Sequence, residues 1–213
     1  MENSLAAFRA ARALGADAVE LDVHATADGH LVVHHDEMIG RHHVAHCSAR
    51  EIAEHRLANG EHVPSLAEAL AVIQPHLTTL VEVKSMPASL DERLFALFDA
   101  APSPDRIAVH SFDHRIVHRL GEKRPALSMG VLSTSYPVNP VRAMHEADAD
   151  VLWQHWPLID EALVMAVHAA GLGIYAWTVD EPRTMRDLLA MGVDGLCTNH
   201  PDRGRKAVDA LPL

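Results

Sequence analysis

The chain has 213 residues, 48% of them hydrophobic, with a formal net charge of −11 at pH 7 and two cysteines. That length and apolar content suit one domain spanning 1–213 with a sizeable core. No run approaches the about 20 consecutive apolar residues a spanning helix needs, which excludes stable membrane insertion through such a helix, and the acidic balance excludes a broad hold on nucleic acid, which depends on clustered Lys and Arg.

Residues 3–14 read as an amphipathic helix, with Asn3 or Ser4 as cap, Leu5, Phe8 and Leu14 among the apolar positions, and Gly15 as stop. This start lacks the basic segment and apolar core of a secretory signal, so cytoplasm is the default location, with an upstream signal left open. Residues 18–23 read as a strand, Asp28-Gly29 as a two-residue type I′ turn, and 31–35 as the returning strand. Counting from that turn sets Thr26 opposite Leu31, His24 opposite Val33 and Asp22 opposite His35. Glu20, Asp22 and His35 then share one face. A polar surface hairpin is one reading. The apolar interleaving of Val19, Leu21 and Val23 favours another, a buried strand whose carboxylates would be costly without a cation. Carboxylate oxygens suit a hard ion such as Mg²⁺ or Ca²⁺, leaving His35 for proton transfer.

Residues 37–63 read as a histidine-rich loop region, a candidate lid, whose histidines (His42, His43, His46, His55 and His62) lack metal-ligand spacing. Pro64 opens a helix over 66–73. Residues 80–84, Leu-Val-Glu-Val-Lys, place Glu82 and Lys84 on one face of a strand, either as an exposed ion pair or as a third ligand carboxylate with a lysine to steady a phosphate. From there helices over 90–98, 114–120, 141–147, 161–170 and 184–191 alternate with strands over 107–111, 127–132, 150–154, 173–179 and 194–198. Such alternation means a parallel sheet with helices outside. Strand candidates begin at 18, 79, 107, 127, 150, 173 and 194. A closed TIM (β/α)8 barrel needs one more, so the expected fold is an α/β TIM-type barrel missing its first strand. Glu20, Asp22, Glu82, Ser111, Gln154 and Trp177 fall late in their strands, where such a barrel places its active site. Cys47 and Cys197 show no redox or ligand spacing.

The opening Glu2-Asn3 with Leu5-Ala6-Ala7-Phe8, then GADAVELDV, TADG, VVHHD, PSLAEAL, VEVK, HSF, GIYAWTVD and GVDGLCTNHP, taken in order, resemble the glycerophosphodiester phosphodiesterases, relatives of the phospholipase C-like TIM barrels. The resemblance implies that Glu20, Asp22 and Glu82 bind one divalent cation, that His35 is a general acid/base, and that Lys84 and Trp177 line the substrate site. It implies metal-dependent hydrolysis of a small-molecule glycerophosphodiester to sn-glycerol 3-phosphate and an alcohol. The family's leading His-Arg-Gly strand, with a second acid/base histidine, is missing here, and N-terminal truncation is the expected reason. Arg41 is read as loop support and Ser111, without a glycine-flanked elbow, as a residue that shapes the pocket rather than a nucleophile. Three alternatives accompany this reading: a lipid phosphodiesterase of the sphingomyelinase D or phospholipase type, a catalytically impaired phosphate-binding relative, and a barrel fragment that does not fold well alone. No exposed aromatic or basic insertion is evident, which favours a soluble diester.

Overall fold

The computed structural model describes residues 1–211. They form two compact units, Met1–Ala13 with Asp17–Ala108, and Leu14–Ala16 with the chain from Val109 onward.

The first unit contains α1 (Leu5–Ala13), β1 (Ala18–Ala25), β2 (Leu31–Val33), β3 (Met38–Ile39), β4 (His42–His43), α2 (Ala49–Glu54), α3 (Leu66–Ile73), β5 (Thr78–Ser85) and α4 (Asp91–Asp99). In its sheet β1 lies between β5, which runs parallel to it, and β2, which runs antiparallel. Leu21, Val23, Val81 and Val83 are wholly buried, as expected of central strands covered on both faces. Ser4 rather than Asn3 caps α1, its Oγ accepting the Ala7 N–H at 3.2 Å. Ser48–Glu51 and Ser65–Glu68 form reciprocal capping boxes at α2 and α3. Pro64 therefore lies outside α3, where its carbonyl accepts the Val33 N–H.

The hairpin register differs by one residue from the sequence expectation. Val23 faces Val33, His24 faces Val32 and Ala25 faces Leu31. The connection is a three-residue loop, closed by Gly29 N–H donating to Thr26 O (3.0 Å) and Thr26 N–H to His30 O (2.8 Å), with Gly29 at φ +76°. This is the turn followed by a left-handed glycine that competes with the two-residue I′ form for the same Asp-Gly dipeptide. Thr26 decides the outcome: its hydroxyl donates to Asp28 Oδ1 (2.6 Å) and accepts the His30 N–H (2.9 Å). Asp22 is consequently in register with His34, whose N–H donates to the Asp22 carbonyl, and His35 lies beyond the end of β2.

The 37–63 region is more ordered than a loop. Val32, Ile39, Val44, Cys47, Ile52, Leu57 and Val63 form a buried cluster of their own beneath the β3–β4 hairpin and α2. Its histidines sit around this cluster in ring contact, His43 stacking on His46 and His42 tilted against His55. Arg41 is exposed at the turn between β3 and β4.

The second unit takes in β6 (Ile107–Ser111) from Val109, then α5 (His114–Lys123), β7 (Ser128–Ser133), α6 (Arg142–Ala147), β8 (Val151–His155), α7 (Glu161–Ala169), β9 (Gly173–Trp177), α8 (Pro182–Met191), β10 (Gly195–Leu196) and α9 (Pro201–Asp209). Strand order is β6-β7-β8-β9-β10, and β7 to β10 are parallel. Acidic residues at the strand starts bind neighbouring strands: Met129 N–H donates to Asp150 Oδ2 and Ile174 N–H to Asp194 Oδ2. Large rings alternate with glycines. A Cβ on Gly130 would lie 2.7 Å from Trp153 Cδ1, and one on Gly195 would lie 2.8 Å from Tyr175 Cδ1. Helix α9 was not legible in the sequence, since its central Gly204 and highly charged composition hide the pattern. Arg205–Asp209 and Lys206–Asp202 pairs support it, and a Cβ on Gly204 would lie only 3.3 Å from Thr198 Cγ2. Cys47 is buried and Cys197 half-buried, and among the described residues neither forms a disulfide.

Candidate active site

Five of the six site residues read from the sequence lie in the first unit. Parallel pairing of β1 with β5 sets Asp22 directly beside Glu82, and side chains two residues apart share a face, so Glu20 joins them. Carboxylate oxygens of Glu20 and Glu82 approach within 4.8 Å of each other. Asp22 and Glu82 are 4% and 6% exposed. The register shifts after Val23, which faces Val83, so that His24 faces Ser85 and Lys84 becomes the extra residue of a bulge. From there the Lys84 ammonium lies 2.9 Å from Asp22 Oδ1 and 2.7 Å from Glu82 Oε1.

The electrostatics follow from placing three carboxylates and one ammonium in a mostly buried patch. Burial, reinforced by the Asp22 charge, pushes the Glu20 carboxyl up to about 8. Burial likewise pushes Glu82 up to about 7, against the hydrogen bond and charge of Lys84. Burial opposes the charge on Lys84 too, yet Asp22 and Glu82 outweigh it and hold the ammonium above its usual pKa. One lysine cannot neutralise three carboxylates, and a bound cation would supply the missing positive charge. A compact, partly desolvated set of carboxylate oxygens fits a hard divalent ion and no soft one.

His35 is half exposed, with its Nδ1 2.9 Å from Asp36 Oδ1. That hydrogen bond raises its pKa above the ordinary histidine value, and the Asp22 and Lys84 charges act on it with opposite signs. The buried His24 places Nε2 3.2 Å from the His35 carbonyl, tying the segment to β1. Burial lowers the pKa of His24, which suits a neutral structural ring.

Trp177 belongs to the second unit, at the end of β9. Its indole N–H donates to the Trp153 carbonyl at 3.0 Å, and its ring meets Phe112 edge-on and His155 at a tilt. Trp153 is buried in a stack with His110, 4.2 Å between centroids. Ser111 Oγ accepts the Asp113 N–H at 3.0 Å. Gln154 is 1% exposed, and neither polar atom of its side chain has a hydrogen-bond partner among the described residues. Asp180, not singled out in the sequence, accepts from Thr198 Oγ1, Asn199 N and Asn199 Nδ2. Phe112, Tyr136 and Trp156, which follow β6, β7 and β8, are 45%, 43% and 37% exposed. They stand singly, each after a different strand.

A residue missed as part of the site is Asn3, expected to compete with Ser4 for the helix cap. It is buried and turned to Asp22, donating from Nδ2 to Oδ2 at 2.6 Å and accepting the Asp22 N–H on Oδ1 at 3.1 Å. Only the tertiary contact reveals this, because 19 residues separate the partners.

Residues 1–203 match the family model described as the glycerophosphoryl diester phosphodiesterase family. A glycerophosphodiester phosphodiesterase of Caldanaerobacter subterraneus subsp. tengcongensis is 31% identical, over 94% of this chain and 89% of its own. A probable glycerophosphodiester phosphodiesterase 2 of Mycobacterium tuberculosis is 32% identical, over 94% and 82%. The crystal structure of a glycerophosphodiester phosphodiesterase from Parabacteroides distasonis superposes with a TM-score of 0.90 at 25% identity, over 98% of this chain and 90% of that one. A phosphodiesterase of Oleispira antarctica, solved with its product sn-glycerol-3-phosphate, has the same fold, with a TM-score of 0.89 at 22% identity over 98% and 91%. The fold is thus the α/β, TIM-barrel type expected from the strand–helix alternation. The chain belongs to the glycerophosphoryl diester phosphodiesterase family, a family of phosphoric diester hydrolases.

Proposed function

We propose that this chain hydrolyses a soluble glycerophosphodiester to sn-glycerol 3-phosphate and an alcohol, with Glu20, Asp22 and Glu82 holding one divalent cation, Mg²⁺ or Ca²⁺. The observation that carries the reading is the convergence of three carboxylates on adjacent parallel strands, with Glu20 and Glu82 oxygens within 4.8 Å and both carboxyls pushed up by burial. The product bound by the Oleispira antarctica relative supports the substrate class.

A phosphodiester resists attack because its own charge repels nucleophiles and its leaving alkoxide is poor. When bound, the cation supplies Lewis-acid stabilisation of the charge that grows on the phosphate oxygens. Lys84, held between Asp22 and Glu82, adds a second positive charge beside the same oxygens. His35 has Nδ1 committed to Asp36, so its Nε2 is the atom that passes a proton to or from the reacting oxygen. Trp177, whose indole N–H is anchored on the Trp153 carbonyl, is proposed as a substrate-binding side chain. A second reading, hydrolysis of a lipid diester, draws support from the exposed Phe112, Tyr136 and Trp156, since aromatic rings on loops suit an acyl chain or a membrane interface.

The test is release of sn-glycerol 3-phosphate from glycerophosphocholine with Mg²⁺, Ca²⁺ or EDTA, by the wild type and Glu20→Gln, each also with a family-type His-Arg-Gly strand added upstream. Metal-dependent release abolished in EDTA and by Glu20→Gln is the expected result. Release unaffected by either sinks the metal assignment. Consumption of an intact phospholipid but not of glycerophosphocholine selects the lipid reading.

A further inference from the structure

Every polar atom of the Asp22 carboxylate has a fixed partner. Oδ1 faces the Lys84 ammonium at 2.9 Å, and Oδ2 accepts from Asn3 Nδ2 at 2.6 Å. The same Asn3 amide also takes the Asp22 backbone N–H on Oδ1 at 3.1 Å, closing a ring between one side-chain amide and both the main chain and the side chain of one residue. Asn3 sits at φ +50°, a left-handed conformation that asparagine tolerates better than most residues. It is 7% exposed. The helix α1 does not need it, because Ser4 provides the cap. The strained backbone and the buried amide therefore serve the contact with Asp22.

We infer that Asn3 is a positioning residue: it locks the rotation of the Asp22 carboxylate so that one lone pair on each oxygen stays turned toward the divalent cation. The inference rests on reading Glu20, Asp22 and Glu82 as the cation site. An ionised carboxylate has about four lone-pair positions. Asn3 occupies one on Oδ2 and Lys84 one on Oδ1, which leaves a position on each oxygen in a defined direction. Groups that orient a ligand in this way are worth roughly 10–100-fold in metal affinity when removed. Orientation also bears on selectivity. Mg²⁺ demands near-ideal octahedral ligands, whereas Ca²⁺ accepts flexible ones, so freeing Asp22 penalises Mg²⁺ more than Ca²⁺.

The experiment measures Mn²⁺, Mg²⁺ and Ca²⁺ dissociation constants of the whole chain by titration calorimetry, with the melting temperature of the EDTA-treated protein alongside. The variants are Asn3→Gly, which accepts the positive φ while deleting both contacts, and Asn3→Ser, too short to make them together, should the glycine variant not fold. Glu20→Gln is the control. Expected is a roughly 10–100-fold weaker Mn²⁺ affinity in the Asn3 variants, with Mg²⁺ losing more than Ca²⁺. Unchanged dissociation constants and an unchanged Mg²⁺/Ca²⁺ ratio, with only the EDTA melting temperature lowered, would make Asn3 a merely structural clasp and overturn the inference. If Glu20→Gln also binds Mn²⁺ as the wild type does, the cation-site reading itself fails, a result separable from failure at Asn3 alone.

Discussion

Consider raising the pH of the protein in EDTA. Glu20 and Glu82 have folded-state pKa values of about 8 and about 7, above the ordinary glutamate value of 4.5. The folded chain therefore holds protons that the unfolded chain releases. Their contribution to stability is fully present below pH 4.5 and is lost as pH rises through 7 and 8. At about 1.36 kcal/mol per pKa unit, Glu20 alone sets a scale of about 5 kcal/mol, comparable to the whole stability of a modest domain. At the proposed cation site a divalent ion should reverse the trend, because carboxylates bind a metal in their deprotonated form and the stabilisation then grows with pH. The assay is urea denaturation at pH 5.5 and 8.5, in EDTA and in Mg²⁺, of the wild type, Glu20→Gln and Glu82→Gln. Subtracting the variants removes the titration of the 17 histidines. In EDTA both variants should gain on the wild type between the two pH values, and Mg²⁺ should rescue the wild type alone. Equal pH slopes for wild type and Glu20→Gln in EDTA would refute the reasoning.

Other expectations concern single side chains. His35→Ala should lower the hydrolysis rate by about 10²–10⁴ while leaving the folded state intact by circular dichroism, and a loss below tenfold would remove it from proton transfer. Asp36→Asn should move the His35 limb of the pH–kcat/KM profile to lower pH, because the Asp36 hydrogen bond is what raises the His35 pKa; an unmoved limb belongs to another group. Gly130→Ala forces a Cβ to 2.7 Å from Trp153 Cδ1, with the His110 Cβ also close at 3.1 Å, and should cost about 1–3 kcal/mol in denaturant unfolding. Ser65→Ala removes the capping box of α3 and should cost about 1 kcal/mol, measured the same way; no change would mean that Glu68 alone satisfies the helix start.

Local rules were enough to find most elements. Strands β1 and β5 to β10 begin within two residues of their expected starts, because apolar runs bounded by turn residues and alternating with capped helices leave few other readings. The period-two alternation that groups Glu20 with Asp22, and Glu82 with Lys84, is likewise a property of any strand. Tertiary structure decided what spacing leaves open. Two turns compete for Asp28-Gly29, and the Thr26 hydroxyl, by bonding Asp28 and His30, chose the three-residue loop and shifted His35 out of the expected pairing. The histidine-rich segment reads as a loop because its apolar residues are scattered along the chain, yet they meet in one cluster. Parallel pairing alone set Asp22 beside Glu82, across some 60 residues of chain. The Asn3–Asp22 contact is likewise tertiary, since a contact between distant residues depends on the fold that brings them together rather than on the periodicity of either segment.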